Sequence, residues 1–153
     1  MDLKNIKIPG ELLEGQLIDL SKQRDVRNDV TGANGKKVLV VLVDVQKDSS
    51  LFQYLTKIIA AVDLDIEKDV GLLILTNNDA FSFSELAGKM TIDRAVFFNV
   101  PPKRAGLNIN YIKYQPLSLQ SRRLLFADDL GTIQGSKELR LALWNALKAM
   151  FKG

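Results

Sequence analysis

The sequence predicts an α/β fold: a three-layer sandwich with a mostly parallel central sheet of about four to five strands and helices on both faces. Two observations carry this prediction. Apolar runs such as Val38–Val43, which is rich in β-branched residues, are typical of strands buried on both faces, as in parallel sheets. Segments with apolar residues at every third or fourth position separate these runs, which is the spacing of helices that pack on a sheet.

The strands are predicted from short apolar runs, in the order Val38–Val43, Leu72–Leu75, Ala95–Phe98 and Leu124–Phe126, with a shorter and more exposed strand at Asn110–Tyr114. In this prediction residues 1–36 form an N-terminal arm or docking helix, and residues 37–153 form a single α/β domain. The arm carries an amphipathic patch of four apolar residues, Leu12, Leu13, Leu17 and Ile18.

Three helices are predicted between and after the strands. Residues 49–62 place their apolar side chains on one stripe, with Asp48 or Ser49 as the N-cap. Ser82 and Glu85 match a capping box that opens a short helix. The last helix runs from Ser136 to about residue 151, and Trp144 lies outside its core-facing stripe. Trp144 therefore either extends the core or faces a partner.

Composition excludes most standard catalytic sites. The chain has 153 residues and contains neither cysteine nor histidine, so thiol nucleophiles, thiolate metal sites and the commonest general base are absent. The turns after the first two strands contain no glycine, so neither a dinucleotide fingerprint nor a P-loop is present. We therefore expect no cofactor, and a protein that binds a partner rather than one that catalyses a reaction.

One enzymatic alternative remains open at the carboxyl ends of the strands, where α/β proteins bind ligands. Four aspartates follow strands, Asp44, Asp79, Asp128 and Asp129. Together they would form a Mg²⁺ site for phosphoryl transfer or a receiver-like domain. Against this, aspartates after strands commonly cap helices or fill turns, and Asn99 stands where a receiver needs a phosphorylatable aspartate.

The net charge of +3 is too small to indicate nucleic-acid binding by itself. Residues 103–153 carry nine basic and three acidic side chains, but the basic residues are spread out. A weaker alternative is nucleic-acid binding through this region, whereas scattered charges predict that such binding is weak or absent. No apolar run matches a signal peptide or spans a bilayer, which predicts a cytoplasmic protein without membrane contact.

The C-terminal third resembles a known family. Residues 116–120 read Pro-Leu-Ser-Leu-Gln, Leu124-Leu125 and Asp128-Asp129-Leu130 follow, and residues 139–144 read Leu-Arg-Leu-Ala-Leu-Trp. This order is similar to the end of the psi subunit of bacterial DNA polymerase III holoenzyme, which has a Pro-Leu-Ser-Leu segment, a short apolar strand, a loop and a closing helix with a leucine–tryptophan pair. The residue match covers about 116–147.

The resemblance implies a non-catalytic adaptor of the replication machinery. In that family, the N-terminal segment docks on the clamp loader, and the α/β body holds an accessory subunit called chi. Carried over, the partners would be clamp-loader subunits and a chi-like subunit, and the docking element would be the patch of Leu12, Leu13, Leu17 and Ile18. Residues 1–30 show no residue match to the family, so this docking role depends on position and amphipathicity.

Overall fold

A computed structural model describes residues 26–76 and 79–152 of the chain. The core is a five-stranded sheet in the order β2-β1-β3-β5-β4. Its strands are β1 (Val38–Val43), β2 (Val70–Leu75), β3 (Arg94–Phe98), β4 (Leu117–Leu119) and β5 (Arg122–Ala127). β4 pairs antiparallel with β5 at one edge, and the other neighbouring strands are parallel.

The β1 strand shows why an unbroken apolar run predicts a buried strand. It lies between β2 and β3, and alternate side chains enter opposite sides of the sheet. Val38, Val40 and Leu42 belong to the core on one face, and Leu39 and Val41 belong to the core on the other. Both faces are therefore covered, as expected for parallel strands.

The helices are α1 (Ser50–Ala61), α2 (Phe83–Lys89), α3 (Leu130–Gln134) and α4 (Lys137–Leu147). Helices α1, α3 and α4 supply the core on one face of the sheet, and α2 packs on the other. This arrangement confirms the predicted three-layer α/β sandwich. The predicted caps at Ser49 and Ser82 form, and Ser136 caps α4 in the same way, because all three hydroxyls accept hydrogen bonds from backbone N–H groups three residues later.

The predicted strand at Asn110–Tyr114 is wrong. These residues form an irregular segment in which Tyr111, Ile112 and Lys113 are all exposed, so the polar alternation does not mark two faces. The edge strand is instead β4, because Gln120 and Ser121 both have positive φ, 52° and 70°, which makes a tight two-residue hairpin into β5. Short α3 and a 3₁₀ turn at Pro102–Ala105 were also not predicted.

The sequence predicts that the packed body begins at Lys37, but in the structure it begins earlier. Val26 is buried in the core on the α2 side, with 2% of its surface exposed. Thr31 forms an isolated antiparallel bridge with Leu72 of β2, and Ala33 N–H donates to the carbonyl of Glu67. Residues 26–36 therefore belong to the body, and they pack on β2 and on the turn that precedes it.

Candidate functional site

The carboxyl ends of the parallel strands turn sharply. Asp44 follows β1 with φ 52°, and Asn99 follows β3 with φ 62°. Their N–H groups donate to the carbonyls of Leu75 and Ala127 on the neighbouring strands, both at 2.9 Å. Asp and Asn are the non-glycine residues that adopt left-handed backbone most readily, which explains their presence at these two turns.

A buried arginine holds the end of β2. Arg104 is 9% exposed, and its guanidinium donates to the backbone carbonyls of Thr76 and Asp79. Burial lowers the pKa of Arg104, while the nearby carboxylates of Asp79 and Asp44 oppose that change. Arg104 is one of the nine basic residues among residues 103–153. No local sequence pattern distinguishes it from an exposed arginine. Its positive charge is therefore structural and not part of a surface for an acidic partner.

The four aspartates of the alternative hypothesis have separate roles. Asp79 accepts a hydrogen bond from the N–H of Thr76 at 2.9 Å, and Asp129 caps α3 by accepting from the N–H of Thr132. Asp128 pairs with two side chains of the segment before β4, and Asp44 occupies the left-handed turn after β1. Within residues 26–76 and 79–152, no three acidic side chains are grouped in a way that would hold a metal ion.

Asp128, Lys113 and Tyr114 form a compact polar cluster at the carboxyl ends of the strands. The Lys113 ammonium donates to Asp128 Oδ1 at 2.7 Å, and the Tyr114 hydroxyl donates to Asp128 Oδ2, also at 2.7 Å. The pKa of Asp128 is lowered mainly by the hydrogen bond from Lys113 and secondly by the hydrogen bond from Tyr114. The bond to Asp128 raises the pKa of Lys113, and burial is the main cause that raises the pKa of Tyr114. At neutral pH the cluster is an ion pair with a neutral phenol.

This cluster fixes an exposed apolar segment on the body. The N–H of Tyr114 also donates to the carbonyl of Phe126 in β5, and the Tyr111 ring lies 5.1 Å from the Phe126 ring. Ile112, which lies between Tyr111 and Tyr114 in the sequence, is 64% exposed, and Tyr111 is 38% exposed. Among the described residues, the large apolar side chains that are exposed are these two and Leu141 of α4. We call Tyr111 and Ile112 the Tyr111–Ile112 surface.

Two depressions flank the Tyr111–Ile112 surface. One, of about 220 Å³, lies at the carboxyl ends of β3 and β5 and is bordered by Pro101, Lys113 and Asp128. The other, of about 210 Å³, lies toward β4 and is bordered by Pro116 and Leu117. Tyr111 forms part of both. Each depression is smaller than the roughly 300–1,000 Å³ of usual small-molecule pockets, and each has room for a side chain of another protein.

The predicted partner-binding residues divide into two groups. Leu12, Leu13, Leu17 and Ile18 lie outside the described residues. Trp144 is half-buried and packs against the core that α1 and α4 share, with the Lys148 ammonium 5.5 Å from the centre of its ring. Trp144 therefore extends the core. Sequence reasoning missed the Tyr111–Ile112 surface because it placed both residues in a strand.

In comparisons with known proteins, no family model and no curated protein matches this chain. No helix in the described part of the chain has the length and apolar character needed to cross a membrane.

Proposed function

We propose that this protein is a non-catalytic, psi-like adaptor of the DNA replication machinery that links a clamp loader to an accessory, chi-like subunit. The observation that carries the proposal is the Tyr111–Ile112 surface, where two exposed apolar side chains lie next to two depressions. Exposed apolar residues that lie together, with polar groups beside them, are typical of protein-binding surfaces. Ile112 and Tyr111 have the polar Lys113–Asp128 pair beside them.

The resemblance to the psi family supplies the identity of the partners. The segments that resemble the family are β4, β5, α3 and α4, which follow one another along the chain. The Tyr111–Ile112 surface lies directly before the first of these segments. In this proposal the surface contacts the chi-like subunit, and the N-terminal patch of Leu12, Leu13, Leu17 and Ile18 contacts the clamp loader.

The rigidity of the Tyr111–Ile112 surface supports a binding role. A side chain that is already fixed before binding loses less conformational entropy when a partner covers it. Tyr111 packs on the Phe126 ring, and the segment is held by Tyr114 through its backbone bond to β5 and its hydroxyl bond to Asp128. The segment is therefore preorganised although it is neither helix nor strand.

The test is affinity capture from a lysate of the source cells, followed by identification of the bound proteins. The bait is the full chain, and the comparison is the double variant Tyr111→Ser/Ile112→Ser. The matched control is Leu141→Ser, which alters the exposed apolar residue of α4 instead. We expect clamp-loader subunits and a chi-like subunit with the full chain and with the control, and loss of the chi-like subunit with the double variant. Absence of all replication proteins from the full-chain sample would contradict the proposal.

A further inference from the structure

Two arginines stand next to each other on the face of the sheet that α1, α3 and α4 cover. Arg94 of β3 is the register partner of Val38 in β1, a core residue of that face, and Arg123 of β5 is the register partner of Arg94. Register partners in neighbouring strands point to the same face of a sheet. The two arginine side chains therefore start from strands about 4.8 Å apart, beside the apolar core and near the amino ends of the parallel strands.

Arg94 is fixed by the segment that follows α4. Its Nε atom donates to the carbonyl of Met150 at 3.0 Å, and its guanidinium carbon lies 5.1 Å from the centre of the Phe151 ring. These contacts use the Nε atom and one face of the guanidinium plane, and they leave both Nη atoms for another acceptor. The positive charge of Arg94 is therefore held in place but is not neutralised.

Arg123 has no hydrogen-bond partner for its side chain in the described part of the chain. The side chain is half-buried, and its Nε atom is buried without a hydrogen bond. A ligand does not reach that atom, but the two Nη atoms at the tip of the side chain are not buried in this way. Within residues 26–76 and 79–152, neither Arg123 nor Arg94 forms an ion pair. Two neighbouring, partly buried cations without a counter-charge are unfavourable, so the pair indicates a bound anion.

A hydroxyl group lies at the same level of the sheet. Ser118 of β4 is exposed and is the register partner of Arg123. The N–H of Arg123 donates to the carbonyl of Asp93, next to β3, so Ser118 and Arg123 form a non-hydrogen-bonded pair, in which side chains are closest. Three neighbouring strands thus supply only hydrogen-bond donors here. Two guanidinium groups and a hydroxyl match the three oxygens of a phosphate group better than the two oxygens of a carboxylate.

We propose that Arg94, Arg123 and Ser118 bind the phosphate group of a small organic phosphate. The Nη atoms of the two arginines contact phosphate oxygens, and the Ser118 hydroxyl donates to a third oxygen. The proposal is independent of the adaptor function, because this site lies near the amino ends of the parallel strands and the Tyr111–Ile112 surface lies near their carboxyl ends.

The test is isothermal titration calorimetry of the full chain with phenyl phosphate, and with benzoate as the probe that carries a carboxylate on the same ring. Arg123→Gln removes one guanidinium group whose side chain makes no hydrogen bond to the described residues. The matched control is Arg122→Gln, which removes the preceding arginine of β5, on the opposite face of the sheet. We expect phenyl phosphate to bind, Arg123→Gln to weaken its binding about tenfold or more, and Arg122→Gln to bind as the unaltered chain does. Benzoate should bind about tenfold more weakly than phenyl phosphate.

A second measurement, on the unaltered chain, does not depend on any variant. Amide NMR signals of Arg94, Ser118 and Arg123 are expected to shift on addition of phenyl phosphate. The proposal is overturned if phenyl phosphate does not bind at millimolar concentration, if the shifts lie elsewhere, or if Arg123→Gln binds it as the unaltered chain does. It is also overturned if benzoate binds as tightly, or if a single-stranded oligonucleotide binds these residues more tightly and with steep salt dependence.

Discussion

At the scale of single residues, Asp128 shows that the position of an aspartate after a strand does not by itself determine what its side chain does. An aspartate after a parallel strand is a candidate metal ligand, and the sequence places Asp128 there correctly. Its carboxylate instead accepts hydrogen bonds from Lys113 and Tyr114, both at 2.7 Å, and holds the segment that bears Ile112. The partners are 14 and 15 positions earlier in the chain, so no local pattern predicts them.

Replacing Asp128 with Asn is expected to destabilise the protein by about 1 kcal/mol at pH 7, because one charge-assisted hydrogen bond is weakened and a half-exposed ion pair is lost. Lys113 and Tyr114 lower the pKa of Asp128 in the folded state. Its stabilising contribution is therefore present above the unfolded pKa of about 3.9 and is lost as the pH falls through the lower folded value. Urea unfolding at pH 7 and at pH 2.5 measures this effect.

The difference in unfolding free energy between the two proteins should be smaller at pH 2.5 than at pH 7. Asp48→Asn, at an exposed position in the turn before α1, serves as the control and should change stability little at either pH. A difference for Asp128→Asn that is equal at both pH values would show that the ion pair does not stabilise the folded state.

At the scale of elements, the sequence predicts best where burial is complete. The β1 run and the serine caps of α1 and α2 determine their elements locally, and the structure confirms them. Asn110–Tyr114 fails because alternation indicates a strand only if one face is covered, and here consecutive residues are exposed. The edge strand β4 has three residues and depends on the Gln120-Ser121 turn, so its own composition carries little signal.

Two glycines in different elements should respond oppositely to alanine. Gly32, beside β2, has φ 93°, and a Cβ atom there would lie 2.3 Å from the carbonyl oxygen of Val70. Gly32→Ala is therefore expected to destabilise the protein by about 2 kcal/mol or more, through left-handed strain and backbone displacement. A Cβ atom at Gly88 of α2 would meet nothing within 4 Å, so Gly88→Ala should stabilise by about 0.5 kcal/mol. Thermal unfolding compares both variants, and a stabilising Gly32→Ala would show that residues 31–36 do not pack on β2 as described.

At the scale of the whole molecule, the sheet order separates residues 31–36 from the Tyr111–Ile112 surface. Residues 31–36 lie along β2, at one edge of the sheet, and the Tyr111–Ile112 surface packs on β5 near the other edge. Three strand spacings lie between β2 and β5, a distance of about 14 Å. The sequence predicts a parallel sheet but not this strand order, because the order depends on contacts between segments that are distant in the chain. The exposure of Tyr111 and Ile112 was unpredictable for the same reason.

The start of the packed body can be tested by truncation. Removal of residues 1–24 gives the reference for this test, because the truncated chain keeps Val26. Removal of residues 1–36 deletes buried Val26 and the Thr31–Leu72 bridge, and should destabilise the body by about 3 kcal/mol or more. Circular dichroism during heating measures both truncations. Equal stability of the two would place the start of the body at Lys37.

The proposed adaptor function requires one chain to hold two partners at once, and reconstitution tests this requirement. The purified chain, clamp-loader subunits and chi-like subunit of the same source are mixed in equal amounts and separated by size-exclusion chromatography. We expect the accessory subunit to elute with the clamp loader only when this chain is present. Tyr111→Ser/Ile112→Ser should abolish this co-elution, and Leu141→Ser should not. Co-elution of the two partners without the chain, or elution of the chain apart from both, would contradict the adaptor function.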